Sequence, residues 1–248
     1  MNRKTAIWAA MIGLLCSASA YAAPSIPKLN IGIDAAKSPQ DVSVSLQILI
    51  LLTVLSLAPA LLIMVTSFTR IIIVLSFTRS ALGTQAVPPN SVLIGLALFL
   101  TFFTMAPMFN KVNDTALQPY LHKTIPIEMA LDRAETPIRD FMFHQVREKD
   151  IGLFVHLSHI QRPRTEADVP MYVLIPAFLI SELKTAFSMG FLIFIPFLVI
   201  DMVISVTLMS MGMMMVPPIM ISLPFKILLF VLVDGWHLIA QSLALSFH

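Results

Sequence analysis

The sequence predicts an all-α membrane protein: two long helical hairpins flanking a small extracytoplasmic helical insert. Three observations point there. Of 248 residues, 57% are hydrophobic and only 12% charged, with a mean hydropathy of +0.86, well above the apolar share of about 45–50% in a soluble domain. The apolar residues gather in two long stretches, residues 44–109 and 170–248. Each stretch is interrupted once by a turn ending in the same three residues, Val87-Pro88-Pro89 and Val216-Pro217-Pro218, the marks of a weak internal repeat.

Residues 1–22 read as a cleavable secretory signal peptide: Arg3 and Lys4, an apolar run from Ala6 to Leu15, then Ala20-Tyr21-Ala22 as a small-residue cleavage site. Cys16, the only cysteine, lies within that signal, so the mature chain is expected to have neither disulfide nor thiol ligand. Removing Arg3 and Lys4 leaves 14 basic residues against 14 acidic ones. That balance speaks against nucleic-acid binding. Residues 23–43, with Pro27, Gly32 and Pro39, read as an N-terminal tether.

The first hairpin, 44–109, begins with an arm that is apolar from Val44 to Leu82 apart from Pro59, Arg70 and Arg79. Gly83 to Asn90 is the turn. Asn90 or Ser91 is expected to cap the returning helix, Val92 to Phe109. As one helix the outgoing 39 residues would reach ~58 Å, against a hydrocarbon core of about 30 Å. Parts of such arms must therefore be buried against protein. A signal-directed N-terminus outside would put Arg70 and Arg79 toward the cytoplasmic turn, and four crossings would leave residues 110–169 outside.

The insert, 110–169, carries eight Lys/Arg and nine Asp/Glu. Thr136-Pro137 is read as a helix start, with Ile138, Phe141, Met142, Gln145 and Val146 on one face. Phe141 and Phe154 are expected to pack that face, and Arg147 is a candidate intersubunit partner of Glu182.

The second hairpin, 170–248, holds five charges in apolar surroundings: Glu182, Lys184, Asp201, Lys226 and Asp234. A central intramembrane charge costs roughly 2.5–3.5 kcal/mol on insertion scales, so each needs a partner or water. Asp201 and Lys226 lie almost symmetrically about Met213 and Met214, which brings carboxylate and ammonium to one depth if the chain turns there; snorkelling of each to its own helix end is the alternative. Glu182 and Lys184, two residues apart, point to different sides and cannot satisfy each other. The turn carries Met209, Met211, Met213, Met214 and Met215 where a loop would ordinarily be polar. Unbranched, polarizable thioethers repack around changing shapes, and copies of this loop around an axis would form a soft apolar constriction; core filling is the alternative.

Catalytic constellations are missing. His156-x-x-His159 has no third ligand beside it. No glycine-flanked aspartate motif supports aspartyl catalysis by Asp201 and Asp234, and no phosphate-binding glycine loop, G-x-S-x-G or H-E-x-x-H occurs. The residues leave two non-enzymatic classes, with no cofactor: a pore or export-channel subunit that is incomplete without copies of itself, and an ion-coupled solute transporter.

Phe68-Thr69-Arg70, Arg79-Ser80-Ala81-Leu82-Gly83, Pro88-Pro89-Asn90, Ile180-Ser181-Glu182-Leu183-Lys184, Asp201, Ser210-Met211-Gly212-Met213-Met214-Met215, Leu223-Pro224-Phe225-Lys226 and Asp234-Gly235-Trp236 together resemble the FliP/SctR family of type III secretion export gates, on its flagellar branch. The resemblance implies a homopentamer joined by FliQ and FliR, with FlhB as neighbour, in the bacterial inner membrane and flagellar basal body. It implies a helical pore complex that conducts unfolded rod, hook and filament proteins, standing largely above the membrane plane. The methionines become its pore gasket, and the insert a periplasmic element.

Overall fold

The computed structural model describes residues 39–84, 86–213 and 215–247. The signal and most of the tether lie outside the described residues, as do Cys16 and Met214. The described chain is helical, with no strand among the described residues. Its helices are α1 (Pro39–Met64), α2 (Phe68–Ala81), α3 (Asn90–Val112), α4 (Gln118–Leu121), α5 (Ile127–Gln145), α6 (Glu148–Leu157), α7 (Met171–Ser210), α8 (Pro218–Leu232) and α9 (Gly235–Leu245). The chain divides at Ile50–Leu51 into two compact units. Of the first, the described part is the opening of α1; the following account concerns the second.

The first arm is not one helix. It breaks at Val65–Ser67, where hydroxyl groups compete with the backbone ladder. Thr66 Oγ1 accepts from the Phe68 amide at 3.4 Å, and Thr69 donates to the Ile63 carbonyl at 3.1 Å. Ser67 is fully buried and shares a 2.7 Å hydrogen bond with Thr104 of α3. The arm's excess length is thus taken up by a polar break. The turn after α2 uses Gly83 at φ +77°, with a cis Val87–Pro88 bond. Neither Asn90 nor Ser91 caps α3: Pro89 holds the cap position, and the Asn90 carboxamide instead accepts Arg79 Nη1 at 2.5 Å.

The core forms where α2 lies along α7. Both helices turn their small and branched residues inward at i, i+3 and i+4 spacing: Ile71, Val74, Leu75 and Thr78 from α2, Phe178, Glu182, Ala186 and Gly190 from α7. Ile71, Val74, Leu75 and Ala186 form one cluster with Leu93 and Ala97 of α3, Phe230 of α8, and Ile239 and Leu243 of α9. Gly190 is where the helices come closest. A Cβ there would lie 2.6 Å from Phe77 Cγ.

The insert continues α3 without a loop. A π-helical turn, Asn113–Leu117, joins α3 to α4. Helix α5 starts at Ile127 after Pro126, nine residues before Thr136; Pro137 sits inside it, where it forgoes the bond to the residue 133 carbonyl. Met142, Val155, Val169, Val173, Leu174 and Phe178 make a second core, so the insert is fastened to the start of α7. The linker ahead of α7 is closed by reciprocal bonds of Thr165 with Asp168. Arg139 straps it by donating to the Glu166 and Val169 carbonyls at 2.8 and 2.7 Å. Hydrogen bonds from the Thr165 hydroxyl and amide hold the Asp168 carboxyl below its ordinary value. Their contribution is present above that ordinary value and lost as pH falls through the lowered one.

Two helical stretches among the described residues are long and apolar enough to cross a membrane, Asn90–Leu121 and Met171–Ser210; α8 and α9, bent by 62°, make a third if taken as one span. At 40 residues α7 is ~60 Å long, about twice the hydrocarbon core.

Candidate functional site: matched charges and the methionine turn

Glu182 is fully buried, and within this chain its partner is Arg70. The guanidinium meets the carboxylate with two parallel bonds, Nε to Oε2 at 3.0 Å and Nη2 to Oε1. Nη2 also donates to Gln145 Oε1 at 2.9 Å, and Nη1 to Ser246, at 2.9 Å to its carbonyl and 3.1 Å to its hydroxyl. All five donors of Arg70 are used, and Phe247 stacks on the guanidinium at 4.0 Å. Arg70 is 2% exposed, and its charge is spent inside the fold. Arg147 caps the start of α6 instead. Its amide donates to Ser181 Oγ at 3.0 Å and its Nη2 to Thr185 at 3.2 Å, while the Ser181 hydroxyl donates to Asp150 Oδ2 at 2.6 Å.

Asp201 and Lys226 lie together. Lys226 Nζ is 2.6 Å from Asp201 Oδ2, and Ser222 donates to Oδ1 at 2.6 Å. The ammonium is buried while the carboxylate keeps an open edge. Removing one partner strands the other, and a stranded buried charge is the costly case. Asp201→Ala and Lys226→Ala are each expected to reduce the fraction of chain recovered in its native complex on a non-denaturing gel. The Asp201→Lys, Lys226→Asp exchange should recover part of it; no recovery would show that Ser222 and packing, not charge, hold the two helices.

Lys184 is exposed on the side of α7 away from Arg70, and Asp234 is exposed at the joint between α8 and α9 in the left-handed conformation, φ +51°. Neither side chain makes an ion pair among the described residues. Phe141 lies against Phe178 and Phe247 in the second core, its ring centroids 5.8 and 6.3 Å from theirs. Phe154 is half-buried against the same cluster. His156 and His159 are exposed at the end of α6. No cluster of three or more metal-ligating side chains occurs among the described residues.

The methionine turn closes α7 with a glycine cap. Gly212 has φ +77°; its amide bonds the Met209 carbonyl, and the Met213 amide reaches back to Leu208, both at 3.0 Å. This is the paired 5→2 and 6→1 arrangement that favours glycine. The turn throws its thioethers outward: Met209 and Met211 are about two-thirds exposed, Met213 is 42% exposed and Met215 96%. They do not fill this chain's core.

Sequence reasoning missed Arg70 as the partner of Glu182, along with Gln145, Ser222 and Ser246. A usable signal existed for the first: an arginine between Thr69 and Ile71-Ile72-Ile73 demands an internal anion.

Long apolar helices, charges neutralised inside the bundle and apolar faces left outward define an all-helical membrane protein. The chain belongs to the FliP family, which it matches over residues 51–243. It is similar to proteins named flagellar biosynthetic protein FliP: 57% identical to that of Bacillus subtilis over 88% of this chain and 98% of the relative. The corresponding figures are 53% over 96% and 91% for Pectobacterium carotovorum, and 50% over 99% and 91% for Caulobacter vibrioides.

Proposed function

We propose that this chain is a pore-forming subunit of the flagellar type III protein export gate, conducting unfolded flagellar subunits across the inner membrane. The observation that carries this reading is the outward methionine turn. An exposed apolar loop is unsuited to water, and thioethers conform to passing side chains of any shape. Around the axis of a homopentamer, Met209, Met211, Met213, Met214 and Met215 form a gasket that excludes ions when idle and yields to an exported chain. FliQ and FliR complete the pore complex, FlhB adjoins it, and the insert stands on the periplasmic side. Helix α7, about twice as long as a bilayer core, favours a complex that rises out of the membrane. The unmatched Lys184 and Asp234 then look to neighbouring chains, as does the insert around the half-buried Phe141, Arg147 and Phe154.

An ion-coupled transporter, which would use Asp201 and Asp234, is the less favoured reading, since Asp201 is occupied by Lys226 with Ser222 and Asp234 lies exposed at the joint between α8 and α9. Native mass spectrometry of the chain purified with co-expressed FliQ and FliR distinguishes the two. The gate reading expects a discrete multi-copy complex containing all three, and a monomer indifferent to co-expression would overturn it. Alanine at Met213, Met214 and Met215 is expected to raise ion leakage across the membrane while secretion persists. Leakage equal to that of the parent would remove the gasket role.

A further inference from the structure

Helix α9 is held at both ends in different ways. At its start the chain turns through 62° at Asp234, whose left-handed backbone (φ +51°, ψ +54°) breaks the line of α8. L-residues other than glycine adopt this region at a cost, with Asp and Asn the most tolerant, so the bend must be maintained by contacts elsewhere. At the far end Ser246 and Phe247 dock on Arg70: the Ser246 carbonyl and hydroxyl take both Nη1 protons, and the Phe247 ring covers the guanidinium and stacks on Phe141. Without them a buried guanidinium loses two of its acceptors.

The bend decides what the segment can be. Helix α8 alone, 15 residues, is ~22 Å long and too short for a hydrocarbon core of about 30 Å. Straightened through Asp234, residues 218–245 would form one helix of ~42 Å, ample to cross. The same residues can thus be a bent pair folded onto α2 and α7, or a membrane span.

We propose that Arg70, Ser246 and Phe247 form a latch that holds α8 and α9 in the bent arrangement, and that opening the latch lets α9 swing about Asp234 into line with α8. The Arg70–Glu182 pair is the fixed half of the latch, because it ties the guanidinium to α7 whatever α9 does. Ser246 and Phe247 are the removable half. Beyond the burial of Ile239 and Leu243 in the core, the bend therefore leans on a contact that bridges the first apolar stretch and the end of the second.

The test is the distance between spin labels in the full chain, reconstituted in lipid nanodiscs, with Cys16→Ser and labels on Ser188→Cys of α7 and Gln241→Cys of α9, both exposed positions. Gln241 lies seven residues beyond Asp234, a lever of ~10 Å, and a swing through 62° displaces it by about 10 Å. The parent should give one short distance. Phe247→Ala should add a population longer by about that amount, Ser246→Ala with Phe247→Ala should enlarge it, and a chain stopped after Leu245 should make it dominant. Arg70→Met with Glu182→Met, which keeps α2 on α7 without charge, should also lengthen the distance, separating loss of the guanidinium from loss of tail bulk. Unchanged distances in these variants would overturn the latch. Should the shortened chain fail to fold, Phe247→Ala, a mild truncation of a half-buried ring, decides alone.

Discussion

Glu182→Ala is expected to cost the folded chain about 3–5 kcal/mol, the range for removing one member of a buried ion pair. The reason is what it leaves behind. Arg70, 2% exposed, loses two acceptors at once and stays charged, since an arginine does not deprotonate in a protein. Gln145 and Ser246 can neither neutralise it nor admit water. Arg70→Ala should fall in the same range by stranding the carboxylate. Arg70→Met with Glu182→Met should be much milder than the two single losses added together, because it removes both charges and keeps the volume between α2 and α7. The measurement is a four-way cycle of denaturant midpoints in detergent. Single variants no worse than the double replacement would mean that packing, not charge, holds this contact.

Gly190→Leu is expected to separate α2 from α7. Even a Cβ at this position would sit 2.6–2.9 Å from Phe77 Cγ, Cδ2 and Cβ. The obstacle includes the root of the ring, not only its flexible end, so rotating Phe77 cannot clear it. Phe77 is itself set edge-on against Phe187 at 5.2 Å. Gly190→Ala should still destabilise, by about 1–3 kcal/mol for overpacking, although alanine is favoured over glycine in a helix by roughly 0.5–1 kcal/mol. The Leu variant should lose the fold and, with it, recovery from membranes. Phe77→Ala should rescue Gly190→Ala, and a rescued pair more stable than Phe77→Ala alone would show the alanine's helix propensity with the clash removed. No rescue would place the obstruction outside this contact.

Much of the second arm pair was legible because its logic is local. The methionines around Gly212 announce a turn that glycine's left-handed freedom permits, and counting outward from it brings Asp201 and Lys226 to one level. The apolar face of Ile138, Phe141 and Met142 likewise follows from spacing alone. The misreadings fall where contacts are remote or where small groups compete. Glu182 finds its partner within the chain in Arg70, 112 residues away, because α2 packs along α7. Thr136-Pro137 reads as a helix start, yet a proline inside α5 costs one hydrogen bond, less than the packing that carries the helix through it. The break at Val65–Ser67 is written in hydroxyls that also occur within unbroken helices.

What the sequence by itself determined is the class of protein: helical, membrane-embedded, with charges few enough that each must be matched, and with motifs that place it in the FliP family. The helical, membrane-embedded character follows from composition and periodicity, which act over a few turns of chain; the family follows from the resemblance its motifs carry. Only the tertiary structure decided which charges meet, where the arms break and that α9 folds back at Asp234. They depend on surfaces that local pattern does not specify, up to 176 residues apart for Arg70 and Ser246, where packing at Gly190 and the full set of acceptors around Arg70 select one register among those that the apolar arms alone would allow.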